Sequence, residues 1–447
     1  MLKLIERREL GVIDPLSFNR AETARRVYNL QLSDHKDVEK VFSGTVNTLD
    51  LELVEKRYLL AGGGDGFVVI YDVCCPPGPE RHTFPSVGTV ALNNRHRHKF
   101  SVETVLWYPL DTGMFTSSGA DCMLKVWDTN RLKPADEYQF SGIVNCHHMS
   151  PIATRHCLVA VATNSSTVKL VDLKSGSSSH SLKGHDTSVF VVKFSPYNEF
   201  ILASGSGDRK ILLWDIRNAK GSLLQFDQYN GRQPKDVLEN NCALSHNNAV
   251  NGLQFSSDGI HIVSCSTDNA VRLWNTSTGK NVGVDYGAIS NRAKKCVQFA
   301  VSDGCSQDLV FIPNDTRRSV DALNMVTGKR EYSLTGHYSY VNCCLYHPDL
   351  NELYSGANDR NILVWTPKTF SSQYRNVRKR RRERVEFKCT EKQPKRSTEK
   401  HDSKITVSST AKSSISNGIS AGLSGIETTG GANTALTADS WSSDEDT

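Results

Sequence analysis

The chain lacks any uninterrupted apolar run approaching the roughly 20 residues that cross a bilayer. Its first residues, Met1-Leu2-Lys3-Leu4-Ile5-Glu6-Arg7-Arg8, are too charged to form the apolar region of a signal peptide. The 12 cysteines contain no Cys-x-x-Cys spacing and adjoin only at Cys74-Cys75 and Cys343-Cys344. That excludes a zinc knuckle and a disulfide framework, and predicts free thiols in a reduced compartment. His147-His148 has no second ligand pair, so these residues are expected to be structural rather than metal-binding. No phosphate loop is present, so neither a cofactor nor an enzymatic activity is expected.

What the chain does contain is a quartet that recurs in register. It reads His98, Ser117, Asp121, Trp127; His185, Ser204, Asp208, Trp214; His246, Ser264, Asp268, Trp274; and His337, Ser355, Asp359, Trp365. In each, Ser precedes Asp by four residues, Trp follows it by six, and His lies 22 or 23 before it. Repetition argues against a catalytic Ser-His-Asp set, which occurs once per site. It argues for a buried network in which a turn carboxylate orients His, His bonds the Ser hydroxyl, and Ser meets the indole N–H. This is the mark of WD-type repeats, with a period of roughly 40–45 residues.

Weaker copies complete the count. Gly62-Gly63-Gly64-Asp65-Gly66 precedes a strand with Tyr71 in the Trp slot. Val168–Asp172 is another strand, with Val171 in that slot and Ser165 where Asp is expected. A degenerate copy has Leu323 and Arg317 in the two slots. The fold class is therefore all-β: a seven-bladed β-propeller, with a short helical segment before it. The two longest gaps predict insertions around 73–96 and 218–242. The ring is expected to close by Val38–Ser43 pairing with the last blade. Three domains follow: 1–35 as a helical arm, 36–366 as the propeller, and 367–447 as a tail.

Charge is concentrated in that tail. Residues 368–400 hold 13 Lys or Arg against 4 Asp or Glu, while the chain before them is close to neutral. The propeller thus has no overall footprint for phosphate backbones. Arg378, Lys379, Arg380, Arg381 and Arg382 form a cluster like a nuclear-localisation signal, which predicts a nuclear protein. Ser, Thr, Gly and Ala then dominate to residue 438, a composition that predicts disorder.

At the other end, Asp14-Pro15 predicts a helix start, and residues 16–32 follow without Gly or Pro. Ala21, Ala24 and Tyr28 share a face of that helix, with Val27 beside them. The segment is read either as a plug on the propeller's own face or as a helix that inserts into a partner. Trp214-Asp215-Ile216-Arg217 ends the most regular repeat with a Trp-Asp-x-Arg motif.

Longer stretches resemble one family. They include Asp14-Pro15-Leu16 with Arg20-Ala21-Glu22, Ser101–Val105, Trp107–Pro109, Asp111–Ser118, Leu124–Asn130, His147–Pro151, His156–Val161, Asp172–Gly176, Glu352–Gly356 and Trp441–Glu445. Over about residues 10–366 the chain is similar to the Cockayne syndrome group A family of WD-repeat DNA excision repair proteins. The stretch from about 370 to 438 departs from it. The resemblance implies a substrate receptor of a cullin-4 RING ubiquitin ligase in transcription-coupled nucleotide excision repair. Its implied partners are the ligase adaptor (the large subunit of the UV-damaged DNA-binding complex), the CSB translocase and stalled RNA polymerase II. It further implies an adaptor contact through Leu16, Arg20, Ala21, Ala24, Arg25 and Tyr28 and through Trp214, Asp215 and Arg217. The competing expectation is a scaffold propeller of another nuclear complex.

Overall fold

In the four quartet-bearing repeats, the turn that carries the carboxylate is built the same way. The residue after it takes a left-handed backbone: φ is 64° at Cys122, 70° at Arg209, 62° at Asn269 and 68° at Arg360. Each such residue is strained by roughly 1–2 kcal/mol. The carboxylate offsets this by accepting the next backbone N–H, from Met123, Lys210, Ala270 and Asn361 at 3.0–3.3 Å. Where the turn is Asp65-Gly66, glycine takes the left-handed position at φ 81°. A Cβ on Gly66 would lie 2.4 Å from the His98 carbonyl, so no other residue fits without a shift.

These turns join the second and third strands of successive antiparallel blades. The computed structural model describes residues 2–74, 81–218, 220–231, 244–305 and 307–368. Seven blades follow in chain order. Blade 1 is Val46–Leu51, Tyr58–Gly63, Val68–Asp72 and Ser86–Val90; blade 2 is Val102–Trp107, Met114–Gly119, Met123–Asp128 and Lys133–Gln139. Blade 3 is Val144–Met149, Leu158–Thr163, Thr167–Asp172 and Ser177–Lys183; blade 4 is Val189–Phe194, Ile201–Ser206, Ile211–Asp215 and Leu224–Gln225. Blade 5 has three strands, Val250–Phe255, His261–Ser266 and Val271–Asn275, with a single bridge from Trp274 to Asn281 in place of the fourth. Blade 6 is Ala300–Val301, Leu309–Asn314, Ser319–Asn324 and Arg330–Thr335. Blade 7 is Val341–His347, Glu352–Ala357 and Ile362–Pro367. Strands are lettered a to d in that order, a being innermost. The slot residues Tyr71, Trp127, Val171, Trp214, Trp274, Leu323 and Trp365 fall one per blade on strand c, and all are buried.

Closure differs from the expectation. The outer strand of blade 7 is Leu30–Leu32, paired Leu30 with Pro367 and Leu32 with Trp365. Val38–Ser43 does not pair there. Lys36–Val38 instead runs parallel to His82–Phe84, inside the insertion expected around 73–96. The ring thus begins by Leu30, within the segment assigned to the arm, and the boundary at residue 36 moves inward. The helix is correspondingly shorter than 16–32. Its span, here α2, is Pro15–Val27 with Asp14 as its N-cap, accepting from the N–H groups of Leu16 and Ser17 at 3.0 and 3.1 Å. It ends because Leu30 is buried in the sheet, and that burial overrides helix propensity. A second helix, α1, occupies Leu2–Glu9. The Arg8 guanidinium lies 5.7 Å from the centre of the Phe18 ring, bringing α1 onto α2. Neither helix is long and apolar enough to cross a membrane.

Strand alternation assigns the loops to two faces. The a–b and c–d loops lie on one, called the lower face, and the b–c and d–a loops on the other, the upper face.

Candidate partner-docking surface

The quartets come together as four networks within single blades. In blade 2, His98 Nδ1 is 2.9 Å from Asp121 Oδ2, its Nε2 is 2.6 Å from Ser117 Oγ, and Trp127 Nε1 donates to that oxygen at 2.7 Å. Blade 4 gives 2.9, 2.7 and 2.8 Å for His185, Asp208, Ser204 and Trp214. Blade 5 gives 3.1, 2.7 and 2.8 Å for His246, Asp268, Ser264 and Trp274, and Arg272 also donates to Asp268 at 3.1 Å. In blade 7, His337 lies 2.9 Å from Asp359 and 2.8 Å from Ser355, which accepts from Trp365 at 2.7 Å. Each serine oxygen is fully buried and already accepts an indole N–H, so it is unavailable as a nucleophile. Burial alone would raise the Asp121, Asp208 and Asp268 carboxyls. The histidine and the turn N–H groups overcome it and hold all three below the usual carboxylate range.

His147 and His148 are core residues. His147 lies between Thr116 Oγ1 and Ser118 Oγ at 2.8 and 2.7 Å, and burial pushes it down to about 3. His148 accepts from the Phe194 N–H at 3.1 Å. Among the described residues no group of side chains has the make-up of a metal site.

The residues expected to meet an adaptor fall in two places. Trp214 is buried in its network, so its indole cannot touch a partner. Asp215 and Arg217 lie at the lower end of blade 4, joined by a two-pronged pair of 2.9 and 2.6 Å, with the guanidinium 4.5 Å from the centre of the Phe200 ring. The Arg217 fork is thus held in place, yet 62% of its side chain remains exposed.

The α2 helix sits two blades away but on the same face. Its C-terminal end is clasped by blade 6: Tyr28 donates to the Gln307 carbonyl at 3.3 Å, Asn324 donates to Tyr28 Oη at 3.2 Å, and Tyr332 donates to the Val27 carbonyl. Val27 is fully buried. Tyr28 is therefore an anchor of the arm to its own propeller, not a free contact. Arg25 is two-pronged on Glu22, with both distances 2.7 Å. Leu16, Arg20 and Ala21 are exposed and Ala24 is half-buried. The turn between the helices adds two residues that the sequence reading missed, Leu10 and Val12, which are 77% and 61% exposed. Their signal, two apolar residues flanking Gly11 before the Asp14-Pro15 start, was present but short.

The lower face repeats this exposure. Leu53, Leu110, Ile152, Tyr197, Ile260 and Leu350, one on each a–b loop of blades 1 to 5 and 7, are exposed. In blade 6 the a–b loop instead receives Tyr28. The lower face thus carries a ring of apolar tips with an anchored helical arm beside it. The basic cluster Arg378–Arg382 lies outside the described residues.

Known proteins resemble the chain along its length. The WD domain, G-beta repeat family matches residues 176–215, 240–275 and 328–366, which take in strands a to c of blades 4, 5 and 7 and the outer strands of blades 3 and 6. Nuclear distribution protein nudF of Aspergillus niger is 25% identical over 65% of this chain and 62% of its own. Radiation-sensitive protein 28 of Saccharomyces cerevisiae is 24% identical over 40% of the chain and 39% of its own. WD repeat-containing protein ATCSA-1 of Arabidopsis thaliana is 31% identical over 82% of this chain and 95% of its own. With identity of that extent across nearly the whole relative, the chain belongs to the family of CSA-like WD40-repeat proteins.

Proposed function

We propose that the chain is the substrate-recognition subunit of a cullin-4 RING ubiquitin ligase acting in transcription-coupled nucleotide excision repair in the nucleus. The supporting observation is the apolar tip Leu10, Val12 and Leu16, carried on an arm that Val27 and Tyr28 fasten to the lower face. An adaptor, the large subunit of the UV-damaged DNA-binding complex, takes this tip and the loops around Arg217. The propeller makes no covalent bonds. It holds the CSB translocase or stalled RNA polymerase II near the ligase's charged ubiquitin, at high effective concentration.

The arm can be removed without opening the ring only if the deletion stops before Val27. Deleting residues 1–26, or making Leu10→Glu with Leu16→Glu, should abolish co-purification of the adaptor while the melting midpoint stays near wild type. Arg217→Glu should weaken it less, because Asp215 already satisfies that guanidinium. Undiminished adaptor binding by the deletion refutes the proposal. For location, changing Arg380, Arg381 and Arg382 to Ala should move a tagged protein toward the cytoplasm. An unchanged nuclear signal refutes import through that cluster.

A further inference from the structure

Blade 6 has an abbreviated inner strand. Upstream of it the backbone pairs with both neighbouring blades, Gln298 bridging Cys343 of blade 7 in parallel, and two side chains reach on to blade 1. Val297 donates to the Asn251 carbonyl of blade 5 at 2.9 Å, Gln298 Nε2 to the Leu49 carbonyl of blade 1 at 2.5 Å, and Lys295 Nζ to Asn47 Oδ1 at 2.7 Å. This segment lines a cavity of about 420 Å³ on the upper face, between blades 6 and 7. Its walls are Ala293, Val297, Pro313 and Val341, and its rim is Arg292 and Lys294.

We propose that this cavity binds an acidic peptide through one apolar side chain seated between the two blades. The volume lies in the range of small-ligand pockets and admits an aromatic or long aliphatic group. Charge sets the rest. Arg292 and Lys294 are exposed, and Arg317 and Arg318 follow in the neighbouring b–c loop. Among the described residues none of these four makes an ion pair, and Lys295 faces a neutral amide oxygen. The single carboxylate in the lining, Asp315, already accepts the Arg292 N–H at 2.6 Å. Tyr338 and Tyr340 stand exposed at 83% and 44% in the adjoining d–a loop. Arg318 donates to the Tyr338 carbonyl at 3.1 Å and so fixes that loop beside the rim. A nucleic-acid strand needs cations spaced along a groove. Here Arg292 and Lys294 flank an apolar hollow, the pattern that suits a carboxylate-flanked anchor.

The inference rests on the receptor reading only for the purpose of the contact: the arm and the lower face take the ligase, leaving the upper face to the recruited partner. Binding itself is measured without the adaptor. A fluorescein-labelled peptide with one tryptophan between runs of glutamate should bind the full chain saturably in fluorescence anisotropy. Arg292→Glu with Lys294→Glu should weaken it about tenfold or more. Replacing the peptide's tryptophan by serine, or its glutamates by glutamine, should do the same on the unaltered chain, which keeps the test open if the variant fails to fold. No saturable binding, or binding indifferent to the tryptophan and the rim charges, overturns the inference. Tighter binding of a labelled single-stranded oligonucleotide that displaces the peptide also overturns it. Peptide binding retained after deletion of residues 1–26 supports the inference whether or not the adaptor is lost. Loss of peptide binding with the adaptor retained overturns this inference alone.

Discussion

Blades 2, 4, 5 and 7 keep the full His–Ser–Asp–Trp network, while blades 1, 3 and 6 fill the same space differently. In blade 1, Asp65 accepts from Ser43 and Gly44 of the entering loop at 2.9 and 3.0 Å, with no histidine between. In blade 3, Ser165 takes the carboxylate's place and meets Thr163 Oγ1 at 2.7 Å. In blade 6 the carboxylate has moved onto strand c. Asp321 is fully buried and accepts from Asn314 and Ser333 at 2.8 and 2.6 Å, with Arg330 3.2 Å away. The ring does not need the quartet in every blade, because each blade also packs apolar faces on both neighbours. The blade that departs furthest carries the special features: the clasp on α2, the abbreviated inner strand and the cavity beside it. A blade freed from the repeat pattern can spend its surface on contacts that the repeat would forbid.

The largest effect is expected at Asp321. Asp321→Ala leaves Arg330 without its counter-charge and three donors unmatched, Asn314 and Ser319 buried and Ser333 half-buried. It should cost about 3 kcal/mol, the low end for a broken buried pair because Arg330 keeps some solvent. Denaturant titration measures this directly. A cost below that of the quartet aspartates would show that blade 6 is the loosest part of the ring rather than a differently tied one.

Within the quartet blades, Asp268→Ala should cost about 2 kcal/mol and Asp359→Ala about 1 kcal/mol. Asp268 also holds Arg272, at 3.1 Å, and blade 5 lacks a full outer strand to share the loss. Wild-type melting by both variants would refute the network account.

These quartets were legible in the sequence because the period is local: four side chains within 30 residues fix one turn and one strand. Blade number followed, since even Tyr71, Val171 and Leu323 preserve the strand pattern. The closing strand was not legible. Leu30-Gln31-Leu32 pairs with a segment more than 330 residues away, and three residues carry too little periodicity to outrank Val38–Ser43. The anchoring of Tyr28 is illegible for the same reason, because Gln307 and Asn324 lie far along the chain. The cavity was invisible because its lining comes from segments far apart in the chain, 291–297, 313–315 and 340–342, not from a motif.

Acid sharpens the contrast more gently. Burial lowers the pKa of His246 and His337 relative to the free imidazole. As pH falls through about 6.5, the unfolded chain binds protons at these positions and the native chain does not, so stability declines. The depressed carboxyls of Asp121, Asp208 and Asp268 add a second decline below about pH 4, when the unfolded chain takes up their protons first. The melting midpoint should therefore drop from about pH 7 to about pH 5. His337→Asn, though less stable throughout, should show a shallower slope there. An unaltered slope would assign the acid sensitivity to residues outside the quartets.

The smallest effect is expected at Ser165. Its hydroxyl bonds Thr163 Oγ1 at 2.7 Å and approaches Thr167 at 3.3–3.4 Å, but it orients no histidine and holds no charge. It is only half-buried, so in Ser165→Ala water can reach the threonine hydroxyls it leaves. The b–c turn of blade 3 is also free of the left-handed residue that makes the quartet turns depend on a carboxylate. The cost should stay below about 1 kcal/mol, the net value of one neutral hydrogen bond. A loss as large as that of Asp268→Ala would mean that blade 3 is tied at the same turn as the quartet blades by a hydroxyl alone. The distinction between tied and untied blades would then fail.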